Sequence, residues 1–402
     1  MIRQQLNSLP LGSKEEPVKV SLVGRVTLQD LIKALKESYQ EAGPRFGIIP
    51  VPPWRVRERE KKNNNKKKGN EEKQSDISSG QGRRVKQRVI LHRPVTIISD
   101  DPSKNCVVDL ETSVLVIKGP GVTLQGVDIH GYGKPGLKYC ETHGLVEVER
   151  GGDLVMNSCN LRMKSFNIKE RDPEDSSPIP APATDCSVLL CHDGGRATLD
   201  NCTLQGSPLS YGLVARDAGT KVLLENSHIS ANNCSNVLVC MGASLSMLQG
   251  CTLSSSAEGF GLAAVDKGTH VFCKDTIFSG NSRDNVFCGC KGRVVLEGCL
   301  MKDSVLRSGL RAEGEGSIII ARESTMEGNQ EHPVRTSWGA WASVRGCRYS
   351  DLGSDGTSKS LVEGTEASLV QDPSHGHATW RYLSSMEMPW SSMNRSVETL
   401  AV

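Results

Sequence analysis

Ala197-Thr-Leu-Asp-Asn-Cys-Thr-Leu204 is followed by Val222-Leu-Leu-Glu-Asn-Ser-His-Ile229 and, further on, by Val294-Val-Leu-Glu-Gly-Cys-Leu-Met301. One slot of this phrase recurs as Cys202, Ser227, Cys251, Thr276, Cys299, Ser324 and Cys347, at spacings of 25, 24, 25, 23, 25 and 23 residues. A fixed period of this length, with short apolar alternation, is the signature of a β-solenoid, in which each turn buries its face only by stacking on the next.

A second phrase keeps step with the first. It reads Gly212-Leu-Val-Ala-Arg-Asp-Ala-Gly219, Asn236-Val-Leu-Val-Cys-Met-Gly242, Gly261-Leu-Ala-Ala-Val-Asp-Lys-Gly268, Asn285-Val-Phe-Cys-Gly-Cys-Lys-Gly292 and Gly309-Leu-Arg-Ala-Glu-Gly-Glu-Gly316. Each turn thus holds short strands with one buried face, separated by Gly, Asn, Asp or Ser corners. Gly and Asn there supply the left-handed backbone that a sharp bend needs. Ala197 and Leu199 point one way, and after a bend at Asn201 the side chains of Cys202 and Leu204 point inward again. A longer period is superimposed. Cys alternates with Ser or Thr, and Gly212, Gly261 and Gly309 alternate with Asn236 and Asn285, so the unit is a double turn.

The register extends backwards, with Val127 and Cys159 in the Cys202 slot. The long gap after Cys159 holds a Pro-rich loop near 165–184, and Val89-Ile-Leu-His-Arg-Pro-Val-Thr-Ile-Ile98 reads as the opening strands. The expectation is an all-β, single-stranded solenoid with parallel ladders, of about ten turns with about 24 residues each, a rod of roughly 45 Å. Residues 1–54 are read as an N-terminal strand and capping helix, 55–88 as a basic low-complexity disordered insert, 89–350 as the β-helix, and 351–402 as a C-terminal cap or disordered tail. Thr27-Leu-Gln-Asp30 is a capping box opening a helix to about Gln40, with Leu28, Leu31, Ile32, Leu35 and Tyr39 on one stripe.

Through Arg93-Pro-Val-Thr-Ile-Ile98 and the repeats, over roughly 85–350, the chain resembles the right-handed parallel β-helix, or pectin-lyase-like, superfamily. It looks most like the intracellular β-helix domains of F-box and SHC-binding proteins. The resemblance implies the architecture; the superfamily includes sugar lyases, glycosidases and non-enzymatic scaffolds.

At 37% apolar and 4% aromatic residues, the composition suits a narrow interior lined by Val, Leu, Ile, Ala, Cys and Ser. No run of 18 apolar residues exists, and Met1–Pro10 lacks an apolar signal core, so no membrane contact is expected and the cytoplasm or nucleus is the expected compartment. Cys202, Cys251, Cys299 and Cys347 lie two turns apart, roughly 9.6 Å by ladder spacing and too far for a disulfide, so the thiols are read as buried and reduced. Only Cys159 and Cys202 fall on neighbouring turns of that slot. Arg55–Arg88 carries thirteen Lys or Arg against five acids, and Ile77 is the only apolar side chain from Glu58 to Gln81. A solvated loop, an import signal and nucleic-acid contact are the readings of that stretch, without aromatics to stack on bases.

Asp217 and Asp266 share one ladder position, with His192 one turn before and Met241 between them. Their separation of roughly 9.6 Å falls near the carboxyl gap of inverting glycosidases. Both precede a Gly-bearing corner, however, where Asp bonds its own backbone. No turn offers the three clustered acids that calcium requires. Cys288-Gly-Cys290 and His375-Gly-His377 supply two soft ligands each, without a matched second pair. Asn201-Cys-Thr203 and Asn233-Cys-Ser235 match glycosylation acceptors, idle in the expected compartment. No catalytic residue, cofactor or metal is therefore assigned. The expected function is a non-enzymatic scaffold that binds a protein partner, with Glu225, Lys274, Glu297 and Arg322 varying in charge along the surface. Nucleic acid enters only through the basic insert. The alternative is a polysaccharide lyase or glycoside hydrolase.

Overall fold

The computed structural model describes residues 17–41, 88–111, 113–132, 143–164, 186–208, 210–350, 362–364 and 368–371. Three parallel sheets enclose one core. Among the described residues, sheet I has 12 strands, from Val18–Leu22 to Ser368–Gln371. Sheet II has 11, from Arg25–Thr27 to Arg348–Ser350, and sheet III has 11, from Arg88–Leu91 to Val362–Gly364. The chain visits III, I and II in turn, so every strand pairs with the strand three places on. This is a right-handed parallel β-helix.

The corner from sheet I to sheet II takes a single left-handed residue: Asn201 (φ 54°), Asn226 (φ 46°) and Asp275 (φ 49°), or Gly250 and Gly298. Short polar side chains and glycine tolerate that region best. The next residue is the recurrent slot. Cys202, Ser227, Cys251, Thr276, Cys299 and Ser324 are all inward and almost fully buried, while Cys347 near the end is half-buried. The alternation of thiol and hydroxyl has a cause. Ser227 Oγ accepts from Cys202 N at 3.1 Å and donates to Glu225 O at 2.7 Å; Ser324 Oγ does the same for Cys299 N (3.1 Å) and Arg322 O (2.8 Å). Cys159 and Cys202 do lie on neighbouring coils, one residue before the Asn160–Thr203 pair, and both are free thiols. Burial pushes the Cys251 thiol up to about 11 and that of Cys299 up to about 12.

The corner from sheet II to sheet III explains the double turn. Asn281 Oδ1 accepts from Asn236 Nδ2 at 2.9 Å and Ser256 N at 3.2 Å. Its Nδ2 donates to Asn285 Oδ1 at 2.8 Å and Leu253 O at 3.2 Å. Asn285 Nδ2 then reaches Asn329 Oδ1 at 2.9 Å, and Asn232 Nδ2 reaches Asn236 Oδ1 at 2.9 Å. An asparagine ladder therefore runs up the coil on every second turn: Asn232 with Asn236, Asn281 with Asn285, and then Asn329, with Pro333 in the place of a second amide. The intervening turns make room for it. A Cβ on Gly261 would lie 2.6 Å from Asn285 O and 2.7 Å from Asn281 Nδ2, so glycine is forced there by a close approach.

The corner from sheet III to sheet I sets coil length. Two-residue turns such as Met241-Gly242 and Trp338-Gly339 alternate with three-residue turns such as Asp217-Ala-Gly219, Asp266-Lys-Gly268 and Gly314-Glu-Gly316. The longer coils of 25 residues are those with the longer turn.

The first coil starts before the sequence repeat. Val18–Leu22 pairs with Val95–Ser99, and Arg25–Thr27 with Cys106–Glu111, across the basic stretch. Helix α1 (Leu28–Glu41) opens with Thr27 N donating to Asp30 Oδ2 at 3.0 Å and Asp30 N to Thr27 Oγ1 at 3.3 Å, a reciprocal cap. Its Leu28, Leu31, Leu35 and Tyr39 are buried in the same cluster as Val20, Leu22 and Val108, closing the end of the coil. No helix among the described residues is long and apolar enough to cross a membrane. The basic insert lies outside the described residues except for Arg88, and the Pro-rich loop and most of the tail lie outside them too.

Two outcomes follow. Asn281→Ala strands Ser256 N and Asn285 Oδ1 at once and should cost about 2–4 kcal/mol in urea denaturation, with no change in the exposed-surface slope. In intact-mass labelling, Cys202, Cys251 and Cys299 should alkylate only with denaturant, whereas the exposed Cys290 labels in the native protein.

Candidate functional site

Sheet III presents an outward row fixed by register: Val116, Glu147, Leu190, Val214, Leu238, Ala263, Phe287, Arg311 and Arg335, one per coil. Its chemistry changes along the rod. The first part is covered, with Glu147 2%, Leu190 1% and Val214 4% exposed, while Phe287, Arg311 and Arg335 stand partly open.

The covered part holds an acid–histidine group that the sequence alone did not gather. Arg88 Nη2 donates to Glu147 Oε2 and Glu149 Oε1, both at 2.7 Å, and Lys118 Nζ lies 2.7 Å from Glu149 Oε2. His143 Nδ1 lies 3.1 Å from Glu147 Oε1, which also accepts from Gly144 N. Burial alone would raise the Glu147 carboxyl, but the His143 bond and the Arg88 charge outweigh it and hold the group below the usual carboxylate range. Glu147, Glu149 and His192 have ligand-type atoms within 4.8 Å of one another, as do His192, Asp193 and Asp217. In the first set Arg88 and Lys118 already neutralise the acids, so the group is a closed ionic lattice. In the second, His192 Nδ1 lies 2.9 Å from Asp193 Oδ2, and Arg216 Nε 3.6 Å from Asp217 Oδ2.

Asp217 and Asp266 sit where the sequence put them and are turn formers. Both are left-handed, at φ 73° and 78°. Asp217 Oδ2 accepts from Asp193 N at 3.3 Å and Asp266 Oδ2 from Met241 N at 3.2 Å, tying each turn to the coil before it. Cys288 is buried and inward while Cys290 is exposed on the turn, so those two thiols do not converge. His375 and His377 lie outside the described residues.

The open part is different. A pocket of about 390 Å³ is lined by Phe287, Gly289, Cys290, Lys291, Glu313, Gly314, Glu315 and Trp338. Gly289 shapes its floor: a Cβ there would lie 2.9 Å from Phe287 Cε1, so the missing side chain lets the ring lie along the sheet. Phe260, from the preceding coil's corner, stacks on Phe287 with centroids 4.7 Å apart and planes 13° from parallel. Arginines close both ends of the stack, Arg283 at 5.7 Å from the Phe260 centroid and Arg311 at 5.8 Å from that of Phe287. Arg311 also pairs with Glu313 on the pocket wall. Trp338 leaves 72% of its surface in water, an exposed large apolar group at the mouth of the pocket.

Beside Arg311 lies Asp284, fully buried. Its Oδ1 accepts from Ser308 N at 2.9 Å; its Oδ2 has no hydrogen-bond partner and lies 3.8 Å from Arg311 Nη1. Burial pushes this carboxyl up to about 6, against the pull of the Ser308 N–H and the Arg311 charge. These residues were hidden in the repeat. Phe260 and Phe287 are two of only six phenylalanines; other turns fill the first slot with Tyr211, Ser235, Asp284 or Ser308 and the second with Val214, Leu238, Ala263 or Arg311, and aligning the turns on those slots would have exposed them.

A family model described as "Right handed beta helix region" matches residues 186–347. No curated protein matches the sequence. Among solved structures, the chain is similar to ORF18 of Geobacillus virus E2 (10% identity, TM-score 0.41, covering 74% of this chain and 54% of that one), so it spans about half of the viral protein's length. It is similar to the periplasmic alginate epimerase AlgG (11% identity, TM-score 0.40, covering 87% and 85%). It is also similar to the A-module of the mannuronan C-5 epimerase AlgE4 of Azotobacter vinelandii (13% identity, TM-score 0.38, covering 72% and 91%). At these identities the likeness concerns the fold alone.

The expected protein-binding scaffold is corrected here. It rested on surface charges varying to meet a partner and on the lack of convergent groups. Three of the four charges instead meet each other, with Glu297 opposite Lys274 in register and 3.5 Å from Arg322 Nη1. Convergent groups exist on sheet III, where Arg88, His143, Glu147 and Glu149 meet and where Phe287, Arg311 and Glu313 gather. The resemblance to F-box and SHC-binding domains finds no counterpart among these matches.

Asp284 carries a pH test of stability. A folded value of about 6, above an unfolded value of about 3.9, means the folded chain binds the proton more tightly. That stabilisation is complete below about pH 4 and is lost as pH rises through 6, by about 3 kcal/mol at most. Asp284→Asn keeps an oxygen for Ser308 N and should lose this slope, gaining on the parent as pH rises from about 4 to 7 in thermal melts. By its three sheets and its match over residues 186–347, the chain is a right-handed β-helix.

Proposed function

We propose that the open stretch of sheet III binds an acidic polysaccharide and acts on it as a lyase. The observation that carries this reading is the pocket between Phe287 and Trp338, with the exposed Trp338 indole, the Phe287 ring held between Phe260 and Arg311, and Glu313, Glu315 and Lys291 among its lining. A pyranose has an apolar face of C–H groups and an equatorial belt of polar ones. An exposed indole with the edge of a second ring beside it suits the first; a few charged groups around them suit the second.

The chemistry follows from the charges. Removing the proton beside a uronate carboxylate builds negative charge on that carboxylate, and a guanidinium placed against it lowers the barrier. Arg311 is the cation next to the Phe287 ring, and Lys291 and Glu313 are the proton-transfer groups within the pocket. The sugar C–H bond and the glycosidic C–O bond break, a C=C bond forms, and the proton passes to the base while the leaving oxygen is reprotonated. The rod offers further room along its axis, since coils repeat at about 4.8 Å and a polymer can lie across several of them.

A panel of polyuronides and neutral glucans, read by calorimetry and by the ultraviolet absorbance of an unsaturated uronide, tests this. Acidic polymers should bind and the neutral ones should not. Phe287→Ala and Trp338→Ala should each weaken binding by roughly tenfold, while Asp217→Asn, at a turn outside the pocket, leaves it unchanged. Binding that survives both aromatic substitutions would discard the pocket, and reducing ends released without the unsaturated product would replace the lyase by a hydrolase.

A further inference from the structure

We propose that Asp284 is a positioning residue for Arg311, its proton deciding whether this guanidinium is held by the buried carboxylate or offered to an acidic ligand at Phe287. This rests on the pocket reading above and adds its regulation.

The inference starts from a substitution inside the repeat. One double turn earlier, the corner slot of Asp284 is filled by Ser235, whose Oγ accepts from Phe260 N at 3.1 Å. Asp284 performs the same task with Oδ1, accepting from Ser308 N at 2.9 Å. A hydroxyl would have met the need of the coil. The second oxygen is therefore surplus to the architecture, yet it is fully buried and without a hydrogen bond. Such an atom is costly to keep unless it has another use.

Its neighbours say what that use is. Arg311 Nη1 lies 3.8 Å from Oδ2, and Arg311 Nε is itself buried without a hydrogen bond. The next coil supplies Glu331, which pairs with Arg307 at 2.9 Å and with Arg335 at 3.0 Å, so those two arginines are engaged elsewhere. Arg283 is turned onto Phe260, and His332 follows Glu331 at the same corner. Arg311 is left between two carboxylates, Asp284 behind it and Glu313 beside it.

The charge count then sets the direction. With Asp284 ionised, the trio of Asp284, Arg311 and Glu313 has a net charge of −1 and repels an anion at Phe287. With Asp284 protonated the trio is neutral, and Arg311 swings its free donors toward the pocket. Burial places the exchange near 6, so the step falls between neutral and mildly acidic pH. Acidic ligands bind more tightly as pH falls through that value, and neutral ones do not change.

Trigalacturonate is the acidic probe and cellotriose the neutral one, each titrated calorimetrically at about pH 5 and about pH 7.5 into the parent, Asp284→Asn and Phe287→Ala proteins. The parent should bind trigalacturonate at least about fivefold more tightly at the lower pH. Asp284→Asn should bind it equally at both, at the acid level. This variant also separates Asp284 from His332, because a histidine effect would persist in it. A parent-like pH dependence in Asp284→Asn overturns the proposal and leaves the pocket standing. Absence of trigalacturonate binding, or binding undiminished in Phe287→Ala, overturns the pocket instead. The NMR signal of Arg311 Nε–H reads the switch without ligand. It should titrate with a midpoint near 6 in the parent and stay flat in Asp284→Asn, and a flat parent profile sinks the idea whatever the ligand results.

Discussion

The buried amide ladder is the interaction on which the rest of the molecule depends. Asn236, Asn281, Asn285 and Asn329 are joined end to end at 2.8–2.9 Å, the first three fully buried and Asn329 partly so, and each is also bonded to backbone. A parallel sheet alone fixes spacing along the rod but allows one coil to slide over the next. A side-chain amide that must meet another amide two coils away permits one register. It forces glycine at Gly261 and Gly309, where a Cβ would strike the ladder, and so imposes the double-turn repeat. The thiol–hydroxyl alternation at the Cys202 slot has the same period, from the reach of Ser227 and Ser324 to the amide of the preceding cysteine.

A register this rigid makes the outward rows predictable, and the site lies where a row breaks its own pattern. Along sheet III the row is apolar or covered up to Ala263, then becomes Phe287, Arg311 and Arg335 within three coils. Nothing in the coil demands those three, since Leu238 and Val214 serve the same register. Trp338 occupies the turn slot of Met241, and Asp284 the corner slot of Ser235. Each is a larger or more polar group than the architecture needs. A solenoid separates the two demands on its sequence in this way: inward and corner residues answer to stacking, and departures outward answer to something outside the chain.

The same separation explains what could be read beforehand. Inward slots repeat, so Cys202 to Cys347, the glycine–asparagine alternation and the helix cap at Thr27 and Asp30 were visible from spacing alone. The reason for the alternation was not, because it lies in bonds of Asn236 to Asn281, 45 residues apart. Nor was the first coil, in which Val18–Leu22 meets Val95–Ser99 across a basic stretch without any repeat phrase. The site escaped for the opposite reason. Its residues are singular, and periodicity is blind to the turn that differs. Asp217 and Asp266 drew attention because they recur, and recurrence turned out to mark a turn that the coil needs.

The Asp284 carboxyl shows how far that logic reaches. A group retained for stacking should lose stability when replaced and gain nothing. A group retained against the interest of stacking should do the reverse, and a buried carboxyl pushed up to about 6 with one oxygen unbonded destabilises the coil at neutral pH. The coil has a solution of its own at Ser235, which satisfies the same amide without a charge. Asp284 therefore stands on the side of the ledger opposite Asn281. Asn281 holds the rod together. Asp284 is tolerated by a rod held firmly enough by that ladder to carry it, beside the one aromatic stack that faces the pocket among the described residues.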